Sequence, residues 1–269
     1  MRDSAHALPD HPSYADASDA SFHQIWTLIN DKGAAALHLP QVAHHRLTAA
    51  YLPFILADRS RSLVVGQLGQ SLDGRIATPS GASRGISGDA ALDHLHRIRA
   101  LVDAVIVGAG TVVADNPRLT TRRIAGRSPA RVLIDPNGRS SRQAHWLTSG
   151  DVARIVFSDC GDGWPTDVIR IPSPDGDGRF PPAMIIETLG LLGWKKLLVE
   201  GGARTVSQFL DAGALHRLHI TVAPVILGSG PAGLDLHPID LLNEARRPRV
   251  GLHILGDGNV LYDCDLSAN

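Results

Sequence analysis

Val107-Gly108-Ala109-Gly110-Thr111-Val112-Val113-Ala114-Asp115-Asn116-Pro117-Arg118-Leu119-Thr120-Thr121-Arg122 decides how this chain is read. The apolar run from Ala104 to Val107 predicts a buried strand. The two glycines predict a tight turn into a helix opened by Thr111. A glycine turn into a helix N-terminus presents unpaired N–H groups and the positive end of the helix dipole to an anion. Asp115, Arg118 and Arg122 follow closely and suit a second polar, phosphorylated ligand. Two ligands at one strand end imply a cofactor and a substrate.

The pattern recurs at Val199-Glu200-Gly201-Gly202-Ala203-Arg204-Thr205-Val206, where another apolar strand ends in glycines ahead of a helix. Open parallel sheets bind ligands beyond the carboxyl ends of their strands. Both turns are therefore expected to converge on one crevice and grip one dinucleotide. Gly108 and Gly110 make only a partial fingerprint, because Val113 stands where a third glycine would be. Asp135 closes the next apolar strand, where a ribose-binding acid sits in such folds. Glu200, expected one residue off its strand, is a carboxylate at the crevice; capping the loop amides is its alternative role. Upstream, Asp73-Gly74 is good turn chemistry, and Gly69 would let a flat ring approach the backbone, with an ordinary hairpin as the competing reading. Ser83 and Arg84, in a loop of small residues before a helix, would hold a phosphate with that helix's amides, or form a solvated loop with a cap.

The continuous runs Val105-Ile106-Val107, Val132-Leu133-Ile134 and Leu197-Leu198-Val199 suit strands buried on both faces of a parallel sheet. Residues 217–222 and 250–254 alternate polar and apolar, as antiparallel strands do, and Gly256-Asp257-Gly258-Asn259 predicts a hairpin turn between the last two strands. A helix is expected over residues 89–102, with Ala91, Leu95, Ile98 and Val102 on one stripe and Ser87 as its cap. Another starts at Pro181-Pro182, with Ile185, Ile186, Leu189 and Leu192 facing inward, and a third buries Val206, Phe209 and Leu210. The fold class is therefore α/β, a mixed, mostly parallel sheet flanked by helices with antiparallel C-terminal strands. Ahead of it, residues 1–60 form an N-terminal, partly helical extension to a main domain of residues 61–269. Residues 1–20 read as loosely held, residues 21–57 as helical, with a weaker piece over 41–51. Phe22, Ile25, Trp26 and Ile29 share a face there, which suits packing or a partner.

With 269 residues, 43% of them hydrophobic, the chain can bury a full core. A formal charge of -1, 4% aromatics and no basic run argue against nucleic-acid binding. Two distant cysteines indicate a reducing, cytoplasmic setting and no zinc spacing, so no metal site is expected. No signal peptide or membrane-length apolar run is seen, so no membrane partner is expected. P-loop, nucleophile-elbow and zinc-deaminase signatures are absent.

Four motifs taken in order resemble the reductase domain of riboflavin biosynthesis, the RibD C-terminal family of the dihydrofolate-reductase-like superfamily. They are Ser71-Leu72-Asp73-Gly74-Arg75, Ser80-Gly81-Ala82-Ser83, Gly110-Thr111-Val112 with residues 115–122, and Glu200-Gly201-Gly202; Ala223 to Gly228 fits a late family strand. The resemblance covers roughly residues 62–266. It implies an NADPH-dependent oxidoreductase that reduces a ribosylamino-pyrimidine 5′-phosphate to its ribitylamino form, with dimers common. On matching positions, Gly69, Gly85, Gly108, Gly110, Thr111, Asp115, Gly201, Gly202, Ala203, Arg204 and Thr205 would bind NADPH. Ser83, Arg99, Leu119, Arg122 and Glu200 would hold substrate, Arg122 and Arg99 through its phosphate. Asp115 and Glu200 are the candidates for stabilising the iminium or relaying a proton. The chain departs from the family in having Gly85 where an aromatic residue often stands and Pro136 where a small polar residue can meet the adenosine phosphate. It also carries an extension without a counterpart and no preceding deaminase domain, so deamination is expected on another chain. Gly85 and the extension motivate the alternative of a related reductase acting on a pterin or secondary-metabolite precursor.

Overall fold

The computed structural model describes residues 19–267; the expected loose N-terminus lies largely outside them. The chain opens with α1 (Asp19–Lys32), which stops at Gly33, whose φ of +54° is left-handed. The expected helical stretch to residue 57 is broken into short pieces: a 3-10 turn (Gly33–His38), α2 (Pro40–Ala43), a second 3-10 turn (Thr48–Tyr51) and α3 (Leu52–Leu56). Pro40 and Pro53 each fall in the first turn of a new helix, where proline is tolerated, and neither could sit inside a continuous one.

The body then alternates: β1 (Leu63–Ser71), α4 (Asp89–Leu101), β2 (Ala104–Gly108), α5 (Ala109–Asp115), β3 (Ala130–Ile134), α6 (His145–Thr148), β4 (Arg154–Phe157), β5 (Val168–Ile171), α7 (Pro182–Leu191), β6 (Lys196–Glu200) and α8 (Ala203–Asp211). β7 (Arg217–Ala223), a 3-10 turn (Leu242–Glu244), β8 (Arg249–Ile254) and β9 (Val260–Asp265) complete it. These strands form one sheet in the order β5-β4-β3-β2-β6-β1-β7-β9-β8. β5 to β7 are parallel, while β9 runs against β7 and β8 against β9. The mixed sheet with antiparallel C-terminal strands is therefore observed. The alternation in residues 217–222 misleads on one side: β7 is parallel to β1 and antiparallel only to β9. Leu192 also departs from expectation. It lies past the end of α7 and is exposed.

Two apolar layers cover the sheet. α7 and α8 bury Ile185, Leu189, Val206, Phe209 and Leu210 on one face. On the other, α4 packs with Phe22, Trp26, Tyr51 and Phe54, so the extension shares a core with the sheet. Phe22 and Trp26 have no exposed surface, which removes them as a partner-docking face. Ser87 does not cap α4. Its cap is Gly88, and Asp257 from the β8–β9 turn accepts the Ala90 N–H at 2.8 Å. A buried polar row under α4 was not foreseen. Tyr51 Oη meets His94 Nδ1 at 2.8 Å, and His94 Nε2 meets His219 Nδ1 at 3.2 Å. His219 Nε2 lies 3.1 Å from Asp263, a close electrostatic contact rather than an aligned hydrogen bond. Burial, then His219, Arg97 and His253, hold the His94 pKa well below the usual imidazole range.

Candidate active site

β2 and β6 are neighbours in the sheet, with Ile106 beside Val199, so the turns that follow them leave side by side. They touch. Thr111 Oγ1 accepts the Gly202 N–H at 2.8 Å. A Cβ on Gly201, whose φ is +111°, would run into the Thr111 hydroxyl, and one on Gly108 would run into the Thr205 hydroxyl. Glycine is thus required where the two turns meet. α8 starts at Gly202 without a side-chain cap, so its positive end stays open. Both turns line one cleft of about 1040 Å³, with Gly108, Gly110, Thr111, Gly202, Ala203, Arg204 and Thr205 in its wall. The convergence read from the two glycine motifs is present.

Asp135 does not reach the cleft. It is fully buried, and its carboxylate accepts the N–H groups of Arg139 and Ser140 at 2.9 and 2.8 Å, closing the turn after β3. A carboxylate held this way has no free edge for a ribose hydroxyl. The cleft wall there is Pro136, which the resemblance puts where the adenosine phosphate is met, together with Asn137 and Arg139, which the sequence reading did not select. It also missed the far wall, Pro231, Asp235 and His237, which Asp211 anchors by accepting the His237 N–H and bonding its ring.

On the α4 side, Glu200 is the last residue of β6, not one beyond it. Arg99 from α4 grips it bidentately, Nε to Oε1 at 2.7 Å and Nη2 to Oε2 at 2.6 Å, with both side chains only 6% exposed. The third Arg99 nitrogen donates to Thr120 O at 3.0 Å. Glu200 thus neutralises an arginine and does not cap loop amides. Arg99 has its fork occupied, so the expectation that it clamps a phosphate directly does not fit this geometry.

Arg122 is different. Among the described residues it forms no ion pair, and its one hydrogen bond is a 3.5 Å contact with Thr120. Partial burial, then Arg99, Arg118 and Arg123, lower its pKa, with Glu200 pulling the other way. Arg123 is neutralised by Asp89 and Asp93, whereas Arg122, like Arg118 and Arg127 on the same segment, has no carboxylate partner among the described residues. Burial, then Arg99, Arg122 and Arg123, push His96 beneath them down to about 3, so it stays neutral.

Asp115 ends α5, exposed, and accepts a 3.0 Å hydrogen bond from Ser83. A carboxylate bonded to Ser83 makes that hydroxyl better suited to a sugar hydroxyl than to a phosphate. Leu119 is buried with a φ of +55°, a strained conformation for a branched residue, so only its main chain can face a ligand. Gly69 admits a side chain of this protein: its missing Cβ would lie 2.5 Å from Ser87 Oγ, so the room expected there for a ring is filled. Gly85 is exposed at φ +89° with nothing around it, and lies outside the cleft wall. Asp73 acts structurally. Hydrogen bonds from Ser71 and from the Leu227 and Gly228 amides lower its pKa to about 2 and tie that turn to the chain after β7.

A cleft where two glycine turns meet over the carboxyl ends of a mostly parallel sheet with antiparallel C-terminal strands is the arrangement of an α/β enzyme of the dihydrofolate-reductase-like class. The RibD C-terminal domain family matches residues 62–247, and the chain belongs to that family. It is 32% identical over 197 residues to the 2,5-diamino-6-ribosylamino-4(3H)-pyrimidinone 5′-phosphate reductase of Methanothermobacter thermautotrophicus, covering 70% of this chain and 90% of that protein. It is 34% identical over 181 residues to the riboflavin biosynthesis protein RibD of Mycobacterium tuberculosis, covering 66% of this chain and 46% of that one. A crystal structure of a deaminase/reductase, the diaminohydroxyphosphoribosylaminopyrimidine deaminase/5-amino-6-(5-phosphoribosylamino)uracil reductase of Thermotoga maritima, superposes with a TM-score of 0.68 at 26% identity. It covers 81% of this chain and 59% of that one. The chain thus spans about half the length of the RibD proteins it matches. Among the described residues, no helix is long and apolar enough to cross a membrane.

Proposed function

We propose that this chain is an NADPH-dependent pyrimidine reductase of riboflavin biosynthesis, converting a ribosylamino-pyrimidine 5′-phosphate to the ribitylamino form. The single observation that carries this is the contact of the Gly108–Thr111 and Gly201–Thr205 turns in one cleft; the unpaired Arg122 lies close enough to Glu200, the residue that opens the second turn, to feel its charge. The residues fit the cofactor: two side-chain-free turns and the open N-terminus of α8 form a cradle for its pyrophosphate. Bound there, NADPH would supply a hydride to the C1 of the opened ribose imine.

The protein's own part is chiefly positioning. Arg122 holds the substrate phosphate. Ser83 and Asp115, already bonded to each other, meet the sugar hydroxyls. Asp115 is the exposed carboxylate able to stabilise the iminium, or to relay a proton from water to the ring-linked nitrogen, as hydride arrives at C1. Glu200 acts through Arg99, fixing the charge beneath the site. The cationic arm favours a phosphorylated substrate over a free pterin. Arg139 and Arg204 line the cleft with no carboxylate partner among the described residues, which suits a cofactor carrying an extra phosphate.

A homodimer is supported by the β8–β9 hairpin, where Val250, Leu252, Ile254 and Tyr262 lie exposed; light scattering at assay concentration tests it. NADPH use and the two free thiols suit the cytoplasm. Purified protein is expected to oxidise NADPH only when the phosphoribosylamino-pyrimidine is present. No turnover, together with no thermal shift from the cofactor, would overturn the proposal.

A further inference from the structure

We propose that helix α1 serves the reaction by holding the arm that carries Arg122, and that Trp26 is the positioning residue through which it does so. This rests on the reading that Arg122 takes the substrate phosphate. α1 lies outside residues 62–247, so the device belongs to this chain and not to the matched family segment.

The arm connects α5 to β3 without regular structure. Left-handed residues shape its start, Asn116 at φ +44° and Leu119 at φ +55°, and Gly126 at φ +147° shapes its far end. Such a segment needs outside support to keep one conformation. The support comes from behind. Trp26, with no exposed surface, donates its indole N–H to Ala125 O at 2.9 Å. Gly126 lies flat on two helices: a Cβ there would be 2.6 Å from Ala100 Cβ on α4 and 3.3 Å from Asn30 Oδ1 on α1. Thr121, adjacent to Arg122, carries this restraint forward, its hydroxyl donating to Gly126 O at 2.9 Å. α1 is itself fixed to α4, because the Arg97 guanidinium sits 4.9 Å over the Phe22 ring and Phe22 stacks on Tyr51. One rigid back thus sets both Glu200, through Arg99 of α4, and Arg122, through Trp26 of α1.

Trp26→Phe keeps an aromatic ring in the core and removes the N–H. The expected result is a KM for the phosphorylated substrate raised about fivefold, the worth of one hydrogen bond. kcat and the NADPH dissociation constant should stay within about twofold of wild type, a split that general destabilisation would not give. Gly126→Ala, which drives the arm off α4 and crowds Asn30 of α1 while leaving the Trp26 indole N–H in place, should show the same selective rise and decides the matter if Trp26→Phe folds poorly. Arg122→Ala separates the two ideas. If it leaves KM unchanged, the phosphate assignment falls first. If it raises KM while Trp26→Phe and Gly126→Ala do not, or while they depress kcat, substrate affinity and NADPH affinity together, the positioning role is overturned.

Discussion

Removing Glu200 should destabilise the protein far more than its single-residue change suggests. Arg99 and Glu200 are each 6% exposed and joined by two hydrogen bonds of 2.7 and 2.6 Å. In Glu200→Ala the guanidinium stays buried with only Thr120 O as a partner. Breaking a buried pair from one side costs about 3–5 kcal/mol, because the stranded charge loses both water and counter-charge. For a chain of this size that corresponds to a fall in Tm of roughly 6–20 °C. Arg99→Met combined with Glu200→Leu strands no charge and should recover most of the loss, to within about 1–2 kcal/mol of wild type. Urea unfolding followed by circular dichroism measures all three proteins. The double variant is also expected to bind NADPH and yet fail to reduce substrate, since the charge arrangement beneath Arg122 is gone. A Glu200→Ala loss below about 1 kcal/mol, the range of exposed pairs, would show that the pair is wet and refute the reasoning.

Acid should weaken the fold below neutrality. His94 and His96 have pKa values lowered by burial, so the unfolded state binds more protons below its ordinary value of about 6.5. Stability therefore falls as pH drops through that value, approaching about 1.4 kcal/mol per pH unit for each histidine; a urea midpoint unchanged between pH 7.5 and 5.5 would contradict it. Thr111→Val removes the acceptor of the Gly202 N–H and should weaken NADPH binding by about tenfold in a fluorescence titration, with stability lowered by about 1 kcal/mol. An unchanged dissociation constant would show that the contact between the turns does not shape the cradle. Arg139→Ala should reduce the preference for NADP⁺ over NAD⁺ by at least about tenfold, the worth of one charge-assisted hydrogen bond, when both are titrated side by side. An equal loss for both cofactors would assign Arg139 to general electrostatics.

The sheet was legible because its strands are chemically extreme. Val105-Ile106-Val107, Val132-Leu133-Ile134 and Leu197-Leu198-Val199 admit few environments other than a doubly covered parallel sheet, and all lie in interior strands of it. The glycine turns were legible for the same reason, since Gly201 and Gly108 stand where a Cβ would strike the neighbouring turn. What stayed hidden depends on pairings between distant segments. Nothing local marks Arg99 as the partner of Glu200, 101 residues away, or Asp257 as the cap of α4 in place of Ser87. Asp135 has the right position for a ribose acid, but the two amides that follow it claim its carboxylate first. The buried His94–His219 pair looked like two of 13 scattered histidines, because a helix and a strand must pack before it exists. Arg139 had one usable signal, its place in the Asn137-Gly138 turn after β3. The loop wall of Pro231, Asp235 and His237 had none.

The most direct test is a crystal of the protein soaked with NADP⁺. The pyrophosphate should lie between the Gly108–Thr111 and Gly202–Thr205 turns, the adenosine end toward Arg139, and the nicotinamide over the sheet edge toward Asp115 and Arg122. A dinucleotide bound away from both turns, or touching only one of them, would contradict the shared cradle on which the assignment stands.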